Sequence, residues 1–563
     1  MAENLMAMNL SGCNSLTDLP DVSGHQALEK LILERCLSLV TIHKSVGDLR
    51  TLLHLNLMGC SNLLEFPSDV SGLRHLEIFN LSGCTKLKEL PEDMSSMTSL
   101  RELLVDKTAI VKLPDSIFRL KKLEKFSLDS CSSLKQLPDC IGRLSSLREL
   151  SLNGSGLEEL PDSIGSLTNL ERLSLMRCRL LSAIPDSVGR LRSLIELFIC
   201  NSSIKELPAS IGSLSQLRYL SLSHCRSLIK LPDSIEGLVS LARFQLDGTL
   251  LTGVPDQVGS LNMLETLEMR NCEIFSSFPE INNMSSLTTL ILDNSLITEL
   301  PESIGKLERL NMLMLNNCKQ LQRLPASIRK LKNLCSLLMT GTAVTELPEK
   351  FGMLSNLRTL KMAKHPDPEA TGEHTELTNL ILQENPKPVV LPMSFSNLFM
   401  LKELDARAWK ISGSISDFEK LSSLEDLNLG HNNFCSLPSS LQGLSVLKNL
   451  FLPHCKEINS LPPLPSSLIK LNVSNCCALQ SVSDLSNLKS LEDLNLTNCK
   501  KIMDIPGLQC LKSLKRFYAS GCNACLPALK SRITKVCSFL PPSSSSMHTH
   551  IACNCIWILL KMV

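Results

Sequence analysis

Apolar and polar positions alternate in short bursts along most of this chain, and the bursts return at a fixed spacing. From Leu100 the pattern runs Leu100-x-x-Leu103-x-Val105-x-x-Thr108-x-Ile110-x-x-Leu113-Pro114-x-x-Ile117-x-x-Leu120. It restarts as Leu123-x-x-Phe126-x-Leu128-x-x-Cys131-x-x-Leu134-x-x-Leu137-Pro138 and closes at Leu144. The frame reopens at Leu147, Leu170, Leu194, Leu217, Leu241, Leu264, Leu287, Leu310, Leu334 and Leu357. It also opens upstream at Leu5, Leu28, Leu52 and Leu76, and downstream at Leu377, Leu401, Leu424, Leu447, Leu468, Leu491 and Leu514. That is about 23 units of 20–24 residues, and self-similarity at this period marks a repeat architecture.

Within a unit, the Leu-x-x-Leu-x-Leu segment has period two, which predicts a short strand with its apolar residues on one side. Such strands are predicted at Leu103–Val105, Phe126–Leu128 and Leu150–Leu152. The Pro after the next Leu ends the strand and turns the chain. A segment such as Pro161 to Leu167 is too short for an independent α-helix and predicts a 3₁₀ or one-turn helix. One unit cannot bury its Leu face alone, so neighbours must stack on a shared core. The expected fold class is α/β: a leucine-rich-repeat solenoid, horseshoe-like, with a parallel concave sheet and short 3₁₀ turns on the convex side.

Two kinds of unit alternate in the middle of the chain. One carries Cys (Cys84, Cys131, Cys178, Cys225, Cys318) and the other Thr or Ser (Thr108, Ser155, Ser202, Thr249, Ser295, Thr342) at the same place. A hydroxyl there is expected to bond a neighbouring backbone amide. The frame breaks between Ala363 and Glu376, in a polar stretch with Pro366 and Pro368, and Pro386 and Pro388 follow. The organisation expected is a first repeat block over 1–362, an irregular repeat and loop over 363–400, and a second block over 401–535. Pro541-Pro542-Ser543-Ser544 has linker composition, so 536–563 is expected to be a disordered tail.

Composition narrows the function. With 43% hydrophobic and 20% charged residues the chain is no disordered protein. Lys+Arg at 57 against Asp+Glu at 56 leaves a net charge of +1, so no basic excess points to nucleic acid. The start has neither a basic n-region nor an apolar h-region, which predicts no secretory signal. No run of 18 apolar residues occurs; Ile551 to Val563 is too short and carries Asn554 and Lys561, so no membrane partner is expected. The 23 Cys, an odd number, recur mostly at one repeat position, which predicts small buried thiols in a reducing, cytoplasmic or nucleocytoplasmic setting. The sequons at Asn80, Asn153, Asn201 and Asn495 compete with that reading, but each falls on or beside a strand.

Candidate contact residues are the side chains that point out of the sheet. Most units carry polar groups there. Leu104, Phe198, Ile291, Met314 and Leu338 are apolar, with Tyr219 and Met312 in the adjacent column. Exposed apolar groups stacked on successive strands, above all Ile291, Met312, Met314 and Leu338, suit a protein ligand; scattered ones need no explanation. Asp106 and Asp129 stack in the next column, either as an acidic stripe for a basic partner or as solvated strand ends. No catalytic constellation emerges, and the chain is expected to be no enzyme. Cys522-x-x-Cys525 lacks a thioredoxin context, while His548, His550, Cys553 and Cys555 are zinc-ligand types in the tail. His365 and His374 flank a polar loop. No catalytic, cofactor or metal site is assigned.

Asn9-Leu10-Ser11-Gly12-Cys13, Leu81-Ser82-Gly83-Cys84, Leu160-Pro161-Asp162-Ser163-Ile164-Gly165 and Gly341-Thr342-Ala343-Val344 resemble the repeats of plant intracellular disease-resistance proteins. Within them the alternation of Cys with Gly-Thr units is most similar to the class with a TIR domain, an NB-ARC nucleotide switch and leucine-rich repeats. The resemblance covers about residues 5–535. It implies a protein-binding module of innate immunity that recognises a pathogen effector or a guarded host protein, in or from such a receptor. The alternative is a stand-alone cytosolic leucine-rich-repeat scaffold in signalling. No G-x-x-x-x-G-K-[ST] phosphate loop occurs, so without an NB-ARC domain no nucleotide, and no cofactor, is expected to bind.

Overall fold

The computed structural model describes residues 4–525 apart from 277, 282, 365–390, 415–417 and 419. The expected loop with His365 and His374, the Pro386–Pro388 cluster and the tail with His548, His550, Cys553 and Cys555 lie outside the described residues. Two compact units divide the chain, residues 1–287 and 288–563.

Each unit is built on a parallel sheet of three-residue strands, one per repeat. In the first unit the strands run from Ala7–Asn9 to Thr266–Glu268; in the second, from Thr289–Ile291 to Arg516–Tyr518. The expected parallel sheet is thus present. The strands lie one residue earlier than the spacing predicts: Glu102–Leu104, Lys125–Ser127 and Glu149–Ser151. The third apolar residue of each motif still fills the core, and its amide still reaches the next coil, as Val105 N–H does to Ser127 O at 2.9 Å. The backbone then turns away to close the coil.

Register follows the repeat residue for residue. Leu103 pairs with Phe126 and Phe126 with Leu150, so every apolar position lands on its counterpart. The core is therefore a set of continuous columns: Leu100, Leu103, Val105, Leu123, Phe126 and Leu128 are all fully buried. Removing each such side chain from water stabilises the stack by about 1.5–3 kcal/mol.

On the opposite side of each regular coil lies a 3₁₀ turn, as expected. Pro161 caps Asp162–Ser166 with φ −71°, and Ile164 N–H bonds Pro161 O at 3.0 Å. Proline suits this place because its fixed φ matches and no N–H is needed. Gly165 lets successive turns approach, since a Cβ there would lie 2.2 Å from Ser187 O. The residue before the Cys or Thr position takes positive φ, as Gly83 (81°) and Gly248 (64°) do, which accounts for the recurrent Gly-Cys and Gly-Thr pairs.

The frame expected at Leu377 lies outside the described residues. Thr359–Lys361 pairs directly with Glu403–Asp405, and Phe351 stacks on Phe395 at 6.4 Å across the same junction.

Candidate functional site

The position eight residues after the first Leu of each repeat sets how coils are joined. Cys131 donates its S–H to Val105 O of the preceding coil at 3.2 Å. Cys178, Cys225 and Cys318 do the same to Leu152, Ile199 and Leu292. In the intervening coils Thr108 and Thr249 donate to carbonyls of their own coil, Val105 O and Leu246 O, each at 2.8 Å. The hydroxyl partner is thus a carbonyl rather than the expected amide, because the amides at the strand end already bond the next coil. Asn432 does both jobs with one NH2 group, bonding Ala406 O and Leu429 O. Trp409 fills the same position with its indole N–H on Met362 O. All are hydrogen-bond donors, which is the property the position selects. The sequence reading missed Trp409 and Asn432 because it tracked residue type; counting eight from Leu401 and Leu424 finds both.

This ladder holds the thiols as expected in one respect: the described cysteines are unpaired, and Cys36, Cys60 and Cys84 are buried. Cys13, in the first coil, is exposed. Burial pushes the Cys60 thiol up to about 11 and that of Cys84 up to about 12.

The side chains of the sheet face fall into two groups. In the second unit Met312, Met314 and Leu338 are half-buried neighbours, with Met314 in register with Leu338. Ile291 belongs to the same row, opposite Met314, but is only 4% exposed. It is therefore corrected from a contact residue to a packing residue within its row. Beside the strand starts Thr289, Asn311, Cys335 and Arg358 line an open hollow of about 660 Å³. Apolar and polar contact groups are thus adjacent.

In the first unit Phe198 and Tyr219 meet edge to face, centroids 4.8 Å apart. Arg172 lies over Phe198 at 4.8 Å and Arg243 over Tyr219 at 5.5 Å. Tyr219 O–H donates to Gln245 Oε1 at 2.6 Å, which fixes the ring. Leu104 is half-buried, and its register neighbours Asn80 and Ser127 are both polar.

The Asp column serves the coils themselves. Asp106 accepts from Ser127 Oγ, Ser82 Oγ and the Asp129 N–H (2.8 Å). Asp129 accepts from Ser151 Oγ (2.6 Å) and Asn153 N–H (2.8 Å), and Asn153 continues to Ser174 and Met176. Asp106 and Asp129, expected either as an acidic stripe or as solvated strand ends, are inter-coil connectors: each satisfies a strand-end amide that the ladder leaves over. Donors of the neighbouring coils thus face both carboxylates.

The coil geometry, one parallel strand and one 3₁₀ turn per repeat on a Leu core, decides the architecture. The chain is a leucine-rich-repeat solenoid. Sequence families agree: one described as "Leucine-rich repeat region" matches residues 7–137 and 269–385, and "Leucine rich repeat" families match 168–226, 216–238 and 423–444. A leucine-rich-repeat protein of Leptospira interrogans shares 24% identity over 82% of this solenoid and 93% of its own chain, with a TM-score of 0.50. A TDR receptor gives 0.53 at 20% identity, over 92% and 88%. In sequence, the solenoid is 30% identical over 135 residues to a probable disease resistance protein of Arabidopsis thaliana, covering 22% of this chain and 8% of that one. It is 40% identical over 70 residues to TMV resistance protein N of Nicotiana glutinosa, covering 12% and 6%. The solenoid therefore spans less than a tenth of these relatives' lengths.

Proposed function

We propose that this solenoid is a protein-binding module of plant innate immunity, recognising a pathogen effector or a guarded host protein through its sheet face, in or from an intracellular immune receptor. The observation that carries the reading is the row of Met312, Met314 and Leu338, held side by side by strand register next to the buried Ile291. Flexible Met and Leu groups on a rigid sheet suit a protein contact. The likeness to disease resistance proteins of two plants supports the immune setting. Unpaired cysteines used as hydrogen-bond donors support a reducing, cytoplasmic location.

The test is a screen of the full chain against a panel of plant-pathogen effectors and host proteins, followed by Met312→Glu plus Met314→Glu. Both side chains are only half-buried, so the fold should survive, while a partner seated on the row should bind at least about tenfold more weakly. If every partner found binds the double variant as well as the parent, the row is not the contact surface.

A further inference from the structure

Along the edge where strands begin in the first unit, opposite charges alternate between neighbouring coils. Arg101 pairs with Glu124 at 2.7 Å, Lys125 with Glu149 at 3.5 Å, Arg148 with Glu171 at 2.6 Å and Arg172 with Glu196 at 2.7 Å. In each pair the cation's counterpart on the next coil, in the same column, is a Glu. The pattern then stops while the arginines continue. Arg218 lies between Ile195 and Ala242, bonded to both through the backbone. Arg243 is in register with Tyr219 and Thr266. Among the described residues neither has a carboxylate within ion-pair distance: Glu196 is held by Arg172, and Glu268 by Arg270 and Gln245. Both Arg218 and Arg243 are exposed.

The arginines without counterions stand where the aromatic pair interrupts the sheet face. Phe198 and Tyr219 are braced on one side by Arg172 and on the other by Arg243, with the Tyr219 hydroxyl anchored on Gln245. Ile195, 36% exposed, adds an apolar flank beside Arg218. A rigid aromatic platform bordered by two guanidinium groups without a carboxylate partner, one of them resting over Tyr219, has the composition of an interface hot spot. A planar, always-charged guanidinium is suited to bidentate carboxylate recognition.

We propose that this part of the face binds an acidic segment of a partner protein, in which a large apolar side chain rests on Phe198 and Tyr219 and flanking carboxylates engage Arg218 and Arg243. The proposal rests on the protein-binding reading above and names the chemistry of the partner. The charge pattern selects the sign: Glu196 and Glu268 on the neighbouring coils are taken up by Arg172 and by Arg270 and Gln245, so an acidic segment supplies the carboxylates that Arg218 and Arg243 do not find within the sheet.

The experiment uses the full chain and fluorescein-labelled peptides that share a central Phe and differ in flanks of Asp/Glu, Ser or Lys; a fourth keeps the acidic flanks and replaces Phe by Ser. Fluorescence anisotropy at low salt should rank the acidic Phe peptide tightest, with affinity falling as salt rises. Arg218→Gln plus Arg243→Gln should weaken it by about tenfold or more, and Arg101→Gln, whose parent is paired outside the platform, should leave it unchanged. Circular dichroism verifies the fold; should the double variant unfold, Arg218→Gln alone and the salt dependence of the parent decide. The proposal is overturned if the acidic Phe peptide binds no better than the Ser-flanked one, or if the arginine variants bind it as tightly as the parent. A protein partner lost on Met312→Glu plus Met314→Glu, with no preference for the acidic peptide, would keep the binding module and discard this surface.

Discussion

Thr108 and Cys131 converge on one acceptor: their Oγ1 and Sγ atoms stand 3.3 Å apart, and both bond the carbonyl oxygen of Val105. The hydroxyl comes from the same coil and the thiol from the next. The alternation of Thr/Ser and Cys units is therefore a pairing of coils, repeated at Ser155–Cys178, Ser202–Cys225, Thr249–Cys272 and Ser295–Cys318.

This shared acceptor sets a double-mutant cycle. Thr108→Val or Cys131→Val alone leaves Val105 O one donor, so each should cost only about 1 kcal/mol for the lost bond. Together they orphan a buried carbonyl. Their combined effect should exceed the sum by about 1 kcal/mol or more, measured by denaturant unfolding of the full chain. Simple additivity would show that the two donors act independently.

Trp409 tests whether the ladder position requires a donor or only bulk. Trp409→Phe keeps most of the buried ring but removes the N–H that bonds Met362 O. An unsatisfied buried carbonyl should lower stability by about 1–3 kcal/mol. Lys364, whose ammonium lies 4.9 Å from the same ring and donates to Thr342 O at 3.2 Å, is held by burial down to about 8. Trp409→Phe keeps an aromatic face for that cation, so the loss reads the N–H bond.

Turn packing gives a second kind of prediction. In Gly165→Ala the added Cβ would meet Ser187 O at 2.2 Å, and backbone must move to relieve it. The expected loss is about 1–3 kcal/mol or more, seen as a lower thermal midpoint. Gly443→Ala, where a Cβ meets nothing within 4 Å, is the matched control and should be close to neutral.

The buried thiols make stability fall at alkaline pH. Desolvation raises Cys84 to about 12 from the ordinary 9.0, and Cys60 to about 11. Above pH 9 the unfolded chain loses protons that the native chain keeps, so stability present below about pH 9 declines as pH rises toward about 12. Denaturant midpoints across that range should fall, and Cys84→Ala should make the decline shallower.

How much of this was legible beforehand differs between core and face. Period and Pro placement were enough for strands, turns and their parallel stacking, because Leu103, Phe126 and Leu150 must share one core. The direction of a side chain was legible too; its surroundings were not. Ile291 points out of the sheet as expected, yet lies buried in the row opposite Met314. Asp106 and Asp129 read as surface charge until the Ser127, Ser151 and backbone donors of the next coil are in place. Such partners lie more than twenty residues away in sequence, so only the register between coils reveals them. The unpaired Arg218 and Arg243 emerge the same way, from what their columns lack.

The donor ladder joins the coils within that register, and residue-resolved thiol alkylation tests its burial most directly. The full chain is alkylated natively without reductant, then denatured and alkylated with a second, heavier reagent. The exposed Cys13, Cys435, Cys477 and Cys510 should take the first label. The ladder thiols Cys60, Cys84, Cys131, Cys178, Cys225 and Cys318 should take only the second, and all 23 thiols should be accounted for. Native labelling of the ladder thiols, or disulfides among them, would contradict a stack of coils joined by buried S–H donors.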